Sequence, residues 1–106
     1  MSVRAIVKEY SIKQRQSVSI YIQKYSKIIG AGKNSDGDPV IFVVEADESE
    51  MITKERRDFY CVPSNKQFKI NNNEMLNEVG SVYDTESGMT IHVLEAMEDN
   101  EQEETE

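Results

Sequence analysis

Apolar residues in this chain recur at every second position, and that period constrains its fold more than any other feature. Val3, Ala5 and Val7 alternate with Arg4, Ile6 and Lys8, and Val18, Ile20 and Ile22 alternate with Ser17, Ser19 and Tyr21. Successive side chains of a strand point to opposite faces, so a period of two makes half-buried strands. A helix needs apolar residues three and four apart. The second run is also rich in β-branched side chains, whose stiff rotamers suit a pleated surface.

The same reading extends along the chain. Lys27 to Lys33, KIIGAGK, reads as a short strand in which the paired glycines mark a bulge or a close backbone approach. Asn34 to Pro39, NSDGDP, concentrates turn formers and predicts a hairpin. Val40 to Glu45, VIFVVE, is nearly continuous in apolar character and so belongs at the centre of a sheet with both faces covered. Ala46 to Glu55 is acidic and has the composition of a surface excursion, with room for a turn of helix. Arg57 to Val62 resumes strand character and is stopped by Pro63, and Gln67 to Asn72 could add a short strand. Asn73 to Glu78, with Asn73 as N-cap, suits a short helical turn. Val79 to Tyr83 and Met89 to Leu94 flank the turn residues Asp84 to Gly88 as a second hairpin.

The expectation is a mainly β protein: a small antiparallel sheet or partly open barrel of six or seven strands, with at most one short helix. One domain spans residues 1–95. Residues 96–106 form a disordered acidic tail, because little apolar surface after Met97 offsets the entropy of ordering it. A single core in a chain of 106 residues buries only about 60–65% of the surface its unfolded form exposes, which makes homo-oligomerisation an option.

Charge is unevenly distributed. The net charge is -8, but the segment from Glu95 to Glu106 supplies seven acidic groups and no basic one, leaving the body near neutral. Residues 1–33 carry a balance of +6 and residues 34–94 a balance of -7. Interleaved strands would pair these charges; separated segments would make a basic and an acidic face. No apolar run approaches the ~18 residues of a membrane span, no charged-then-apolar leader opens the sequence, and Cys61 has no disulfide partner. A cytoplasmic protein is expected.

Candidate chemistry is sparse. His92, the sole histidine, lies in the apolar run Ile91 to Leu94, where Asp84 or Glu86 could approach it across the hairpin and make it a general base. Cys61 and His92 could form a nucleophilic pair, although a cysteine between Tyr60 and Val62 reads first as a small buried hydrophobe. One histidine and one cysteine cannot make an intrachain zinc site, and Asp36, Asp38, Glu45 and Asp47 lack the spacing of a calcium loop. Neither a metal nor a cofactor is expected, and no catalytic residue is assigned. Gly30-Ala31-Gly32-Lys33 is a fragment of a phosphate loop without its full signature. The best ligand candidates are Lys13 and Arg15 in the first loop with Tyr21, Lys24 and Lys27, joined by His92, which could hold an anionic small molecule. A partner protein would instead meet the acidic residues Asp47, Glu48, Glu50, Glu98, Asp99 and Glu101. Direct binding of nucleic acid is disfavoured, because the tail and the acidic half repel phosphates.

An opening Lys-x-Tyr strand at Lys8 to Tyr10, the stretch Ile20 to Ile29, DGDPVIF, Arg57-Asp-Phe, and the closing GSVYD…GMTIHVLE together resemble an uncharacterised family of small bacteriophage and prophage proteins. The resemblance covers most of residues 5–95 and is most specific at Val79 to Val82 and Ile91 to Glu95, where His92 falls on the family's histidine. The insertion at Ala46 to Glu55, Pro63-Ser64-Asn65 and the tail depart from it. The resemblance implies a compact β fold and an accessory phage protein, acting in the cytoplasm of an infected bacterial host, but brings no activity. The expectation is a non-enzymatic host-takeover or counter-defence protein that sequesters an anionic nucleotide signal. The alternatives are an inhibitor that engages a host protein through its tail and excursion, and a small hydrolase using His92.

Overall fold

The computed structural model describes residues 4–12, 17–46 and 53–98. Seven strands follow one another: β1 (Ala5–Ser11), β2 (Ser17–Gln23), β3 (Lys27–Lys33), β4 (Pro39–Ala46), β5 (Lys54–Pro63), β6 (Glu74–Asp84) and β7 (Met89–Glu98). They form two antiparallel sheets, one of order β1-β4-β3 and one of order β2-β5-β7-β6. The fold is therefore mainly β, with two facing sheets rather than a closed barrel. Among the described residues there is no helix, and so none long and apolar enough to cross a membrane.

The core lies between the sheets. Ile41 and Val43 of β4 face Ile20 and Ile22 of β2, Phe59 and Cys61 of β5, and Val93 of β7, all of them buried. The alternation read in the second run holds: Val18, Ile20 and Ile22 turn inward while Ser17, Ser19 and Tyr21 face out. In β1 the faces are reversed from the expectation. Register pairs Ile6, Lys8 and Tyr10 with the inward Glu45, Val43 and Ile41, so Ala5 and Val7 lie on the outer face and Val7 is 52% exposed. Val3 lies outside the described residues. An edge strand has neighbours on one side only, and here polar anchors decide the face: the Tyr10 hydroxyl donates to Glu45 Oε2 at 2.6 Å, and Lys8 Nζ lies 3.3 Å from Glu45 Oε1.

The apolar run Val40 to Glu45 occupies the centre of its sheet, as its composition requires. The carboxylate of Glu45 is buried; burial pushes it up, but the Tyr10 and Lys8 contacts and the Gln23 amide outweigh that and hold it below its usual range. Tyr10 answers with a phenol pushed up to about 12 by burial and by Glu45. At the same corner the Gln23 amide donates to Ala46 O at 3.0 Å and accepts from Ala46 N at 2.9 Å. A side chain thus takes up the backbone hydrogen bonds of Ala46 at the finish of β4 and ties the two sheets together.

Both hairpins form where turn chemistry places them. In the β3–β4 turn Asn34 Oδ1 accepts from Asp36 N and Asp38 N, and Gly37 takes φ +86°. In the β6–β7 turn Asp84 accepts from Glu86 N and Ser87 Oγ, and Gly88 takes φ +72°. Bulges interrupt β3 at Ile28 to Gly30 and β6 at Glu78 to Gly80. They sit where the sheets approach: a Cβ on Gly80 would stand 3.1 Å from the backbone nitrogen of Ala31. The bulge expected from the KIIGAGK glycines is therefore present.

Three local expectations are corrected. Asn73 to Glu78 is not a helical turn, because β6 begins at Glu74 and its first residues pair with the far end of β7. Glu74 serves as an acceptor for Tyr60 and Asn71 rather than in a helix cap. Gln67 to Asn72 is no strand but part of an irregular connection between β5 and β6, which run parallel with β7 between them. β7 continues three residues past the expected domain edge at 95, to Glu98, because Glu95 is buried in an ion pair with Arg57. Residues 99–106 of the expected tail and residues 47–52 of the expected excursion lie outside the described residues.

Candidate functional site

Strand polarity gives the sandwich two unlike ends. One end carries the β2–β3 turn, the start of β5 and the finish of β4 and β7; the other carries the β3–β4 and β6–β7 turns, Ile12 and the finish of β5. At this second end the sheets leave a cleft of about 740 Å3. Its floor is apolar, made by Ile12, Cys61, Val82, Ile91 and Val93. Its rim carries Lys33, Lys66, Asp36, Asp38, Asp84 and Glu86. The volume falls in the ~300–1,000 Å3 range of ligand pockets, and the lining has the usual composition of an apolar body with a few polar groups.

The two hairpins shape the rim. Asn34 gathers the backbone of its turn so that Asp36 and Asp38 flank one side. The Ser87 hydroxyl holds the Asp84 carboxyl below its usual range on the other side, assisted by the Glu86 and Ser87 amides and the charge of Lys33. Burial pushes the Cys61 thiol up to about 11, and its Sγ donates to Ile12 O at 3.9 Å. A thiol so placed is a packing group, since the thiolate is the reactive form.

The residues singled out by sequence do not meet in one place. Lys24 lies in the β2–β3 turn, its Nζ 5.5 Å from the centroid of the Tyr25 ring, and Lys27 opens β3 beside it. Lys13 and Arg15 lie outside the described residues. Tyr21 faces out from β2 and is 61% exposed. His92 shares that outer face of the second sheet, but lies level with Val62 whereas Tyr21 lies level with Arg56.

The two chemical partnerships considered for His92 also fail. Cys61 pairs with Val93 and points into the core, whereas His92 pairs with Val62 and points out, so β-sheet parity separates thiol and imidazole. Asp84 is engaged in its own turn, and His92 Nε2 instead meets Ser64 Oγ at 2.7 Å. This bond anchors the start of the β5–β6 connection, where Asn65 adopts φ +68°.

Of the acidic partner-binding candidates, Glu98 closes β7 at the first end. Asp47, Glu48, Glu50, Asp99 and Glu101 lie outside the described residues. The cleft itself was missed by sequence reasoning. Its signals were the two turn clusters, NSDGDP and DTESG, which were read as connections and not as facing walls. Among the described residues no group of three His, Cys, Asp or Glu side chains is arranged to hold a metal ion. Comparison of the chain with protein-family models, with curated proteins and with solved structures found no match.

Proposed function

We propose that this chain is a non-enzymatic binding protein whose principal ligand is a segment of a partner protein seated in the cleft between the sheets. The observation that carries the reading is the juxtaposition, in one opening, of an apolar floor with a rim of both charge signs. An apolar side chain of the partner fills the floor, and its polar neighbours meet Lys33 and Lys66 on one hand and Asp36, Asp38 and Glu86 on the other. A compact polyanion is served less well, because the same rim presents four carboxylates to two ammonium groups. The order of motifs that resembles phage and prophage proteins supplies the setting: an accessory protein that engages a host protein in the bacterial cytoplasm.

Capture from host lysate by three forms of the chain tests this. The wild type is compared with Met89→Glu/Lys66→Glu at the cleft mouth, and with a chain ending at Glu98. The proposal expects the mouth variant to lose the captured protein while its circular dichroism stays unchanged, and the shortened chain to retain it. Loss on shortening alone transfers the activity to the acidic tail and refutes the cleft.

A further inference from the structure

The outer face of the second sheet carries a second recess of about 490 Å3, lined by Ser17, Tyr60, Gln67, Phe68 and Lys69, of which Gln67 also lines the cleft. The β5–β6 connection builds it. Ser64 and His92 pin the start of that connection, and at its far end Glu74 accepts hydrogen bonds from Asn71 N, Asn71 Nδ2 and the Tyr60 hydroxyl, the last at 2.7 Å. Between these anchors Phe68 packs on Tyr60 with ring centroids 5.5 Å apart and planes tilted by 53°. Both rings are only half-buried, so part of each π surface stays open.

The chemistry of this lining is selective. It offers two aromatic rings, an amide that donates and accepts, a hydroxyl and an ammonium group. Among the described residues no carboxylate lines it, in a chain whose net charge is -8. Stacking surface, an amide for a base edge, a hydroxyl for sugar oxygens and one cation for a phosphate are the complement of a nucleotide. We infer that this recess is a site for a nucleoside monophosphate or a single nucleotide of a larger ligand, with the base against Phe68 and Tyr60 and the phosphate on Lys69. The site lies on the opposite side of the sheet from the core and shares Gln67 alone with the cleft, so Ser17, Tyr60, Phe68 and Lys69 report on it separately.

Amide chemical-shift titration of the full chain tests the assignment, with adenosine monophosphate, adenosine, ribose 5-phosphate and inorganic phosphate as probes. The expected result is saturable shifts at Ser17, Tyr60 and Gln67 to Lys69, with adenosine monophosphate bound about tenfold more tightly than either adenosine or ribose 5-phosphate, since one stacked base and one ion contact are each worth about that factor. Phe68→Leu and Lys69→Gln should each weaken the monophosphate about five- to tenfold, while shifts elsewhere in the spectrum stay in place. Equal affinity for inorganic phosphate, indifference to both substitutions, shifts confined to the cleft, or no saturation at tens of millimolar would each overturn the inference. None of these failures touches the cleft variants, so the two readings fall separately.

Discussion

Substituting Glu95 tests the most consequential interaction in the second sheet. Its side chain is 8% exposed and accepts from both Nε and Nη2 of Arg57, the second bond at 3.1 Å, while Arg57 itself is 20% exposed. The Glu95 carboxylate holds the guanidinium pKa above its ordinary value. Removing one partner of a buried pair costs about 3–5 kcal/mol, because the other charge is left uncompensated. Here Glu55 stands 3.3 Å from Arg57 Nη1 and is one-third exposed, so part of the compensation survives. Glu95→Leu should therefore cost less, about 2–3 kcal/mol, and lower the melting temperature by about 10–20 °C for a domain of this size. Arg57→Met should cost more, about 3–4 kcal/mol, since it strands a carboxylate that is more deeply buried than the guanidinium. The double substitution should fall within about 1 kcal/mol of wild type, because apolar groups of similar volume replace a buried pair at little cost. Urea unfolding followed by circular dichroism measures all four corners of the cycle. A loss below about 0.5 kcal/mol for Glu95→Leu, or additive single effects, would refute the claim that β7 is held past the core by this pair.

Other regions make independent demands. Glu45 is held below its ordinary value of 4.5, so its stabilisation is complete above that pH and is lost as pH falls through the lowered value; Glu45→Gln should flatten the acid limb of a stability-versus-pH curve and cost about 1–2 kcal/mol at neutral pH. The Cys61 thiol, pushed up to about 11 by burial, should react with a disulfide reagent at pH 8 only as fast as the protein opens, and rapid labelling without urea would contradict its placement. Gly80→Ala should destabilise by about 1–3 kcal/mol, because its Cβ would stand 3.1 Å from the Ala31 backbone, whereas Gly30→Ala meets nothing within 4 Å and should be neutral or stabilising by about 0.5–1 kcal/mol in the same melts.

Periodicity carried the β class, the two hairpins and the central place of β4, because those depend on residues adjacent in sequence. It failed where a distant partner decides. Ala5 and Val7 are more apolar than Lys8, yet β1 turns Tyr10 and Lys8 toward Glu45, which lies 35 positions beyond Tyr10. Glu95, at the expected edge of the domain, opens an acidic run, and only Arg57, 38 positions earlier, explains why it is buried. Glu74 and Met75 have weak strand propensity, and only pairing with Glu98 and Met97 extends β6 to them. The candidate sites were less legible still. Among the described candidates, Lys24 and Lys27 lie at the β2–β3 turn, whereas His92 lies level with Val62 near the finish of β5, a separation that sequence distance does not reveal.

In the observed topology the corner at the first end is closed upon itself by Gln23 and Ala46, with Glu45 accepting from Tyr10 and ion-paired to Lys8. At the end that carries the cleft the two turns are each satisfied internally, by Asn34 and by Asp84, and among the described residues they leave the apolar floor between them open. A turn that meets its own hydrogen-bonding needs has no demand left to make of a neighbour across the gap. The opening therefore follows from turn chemistry rather than from a defect of packing, and the same economy leaves the rim charges free for a partner. Binding at that end should stabilise the fold without reordering either hairpin, and a ligand that shifted the Asn34 and Asp84 turns while sparing the floor would show that the cleft is not the surface it engages.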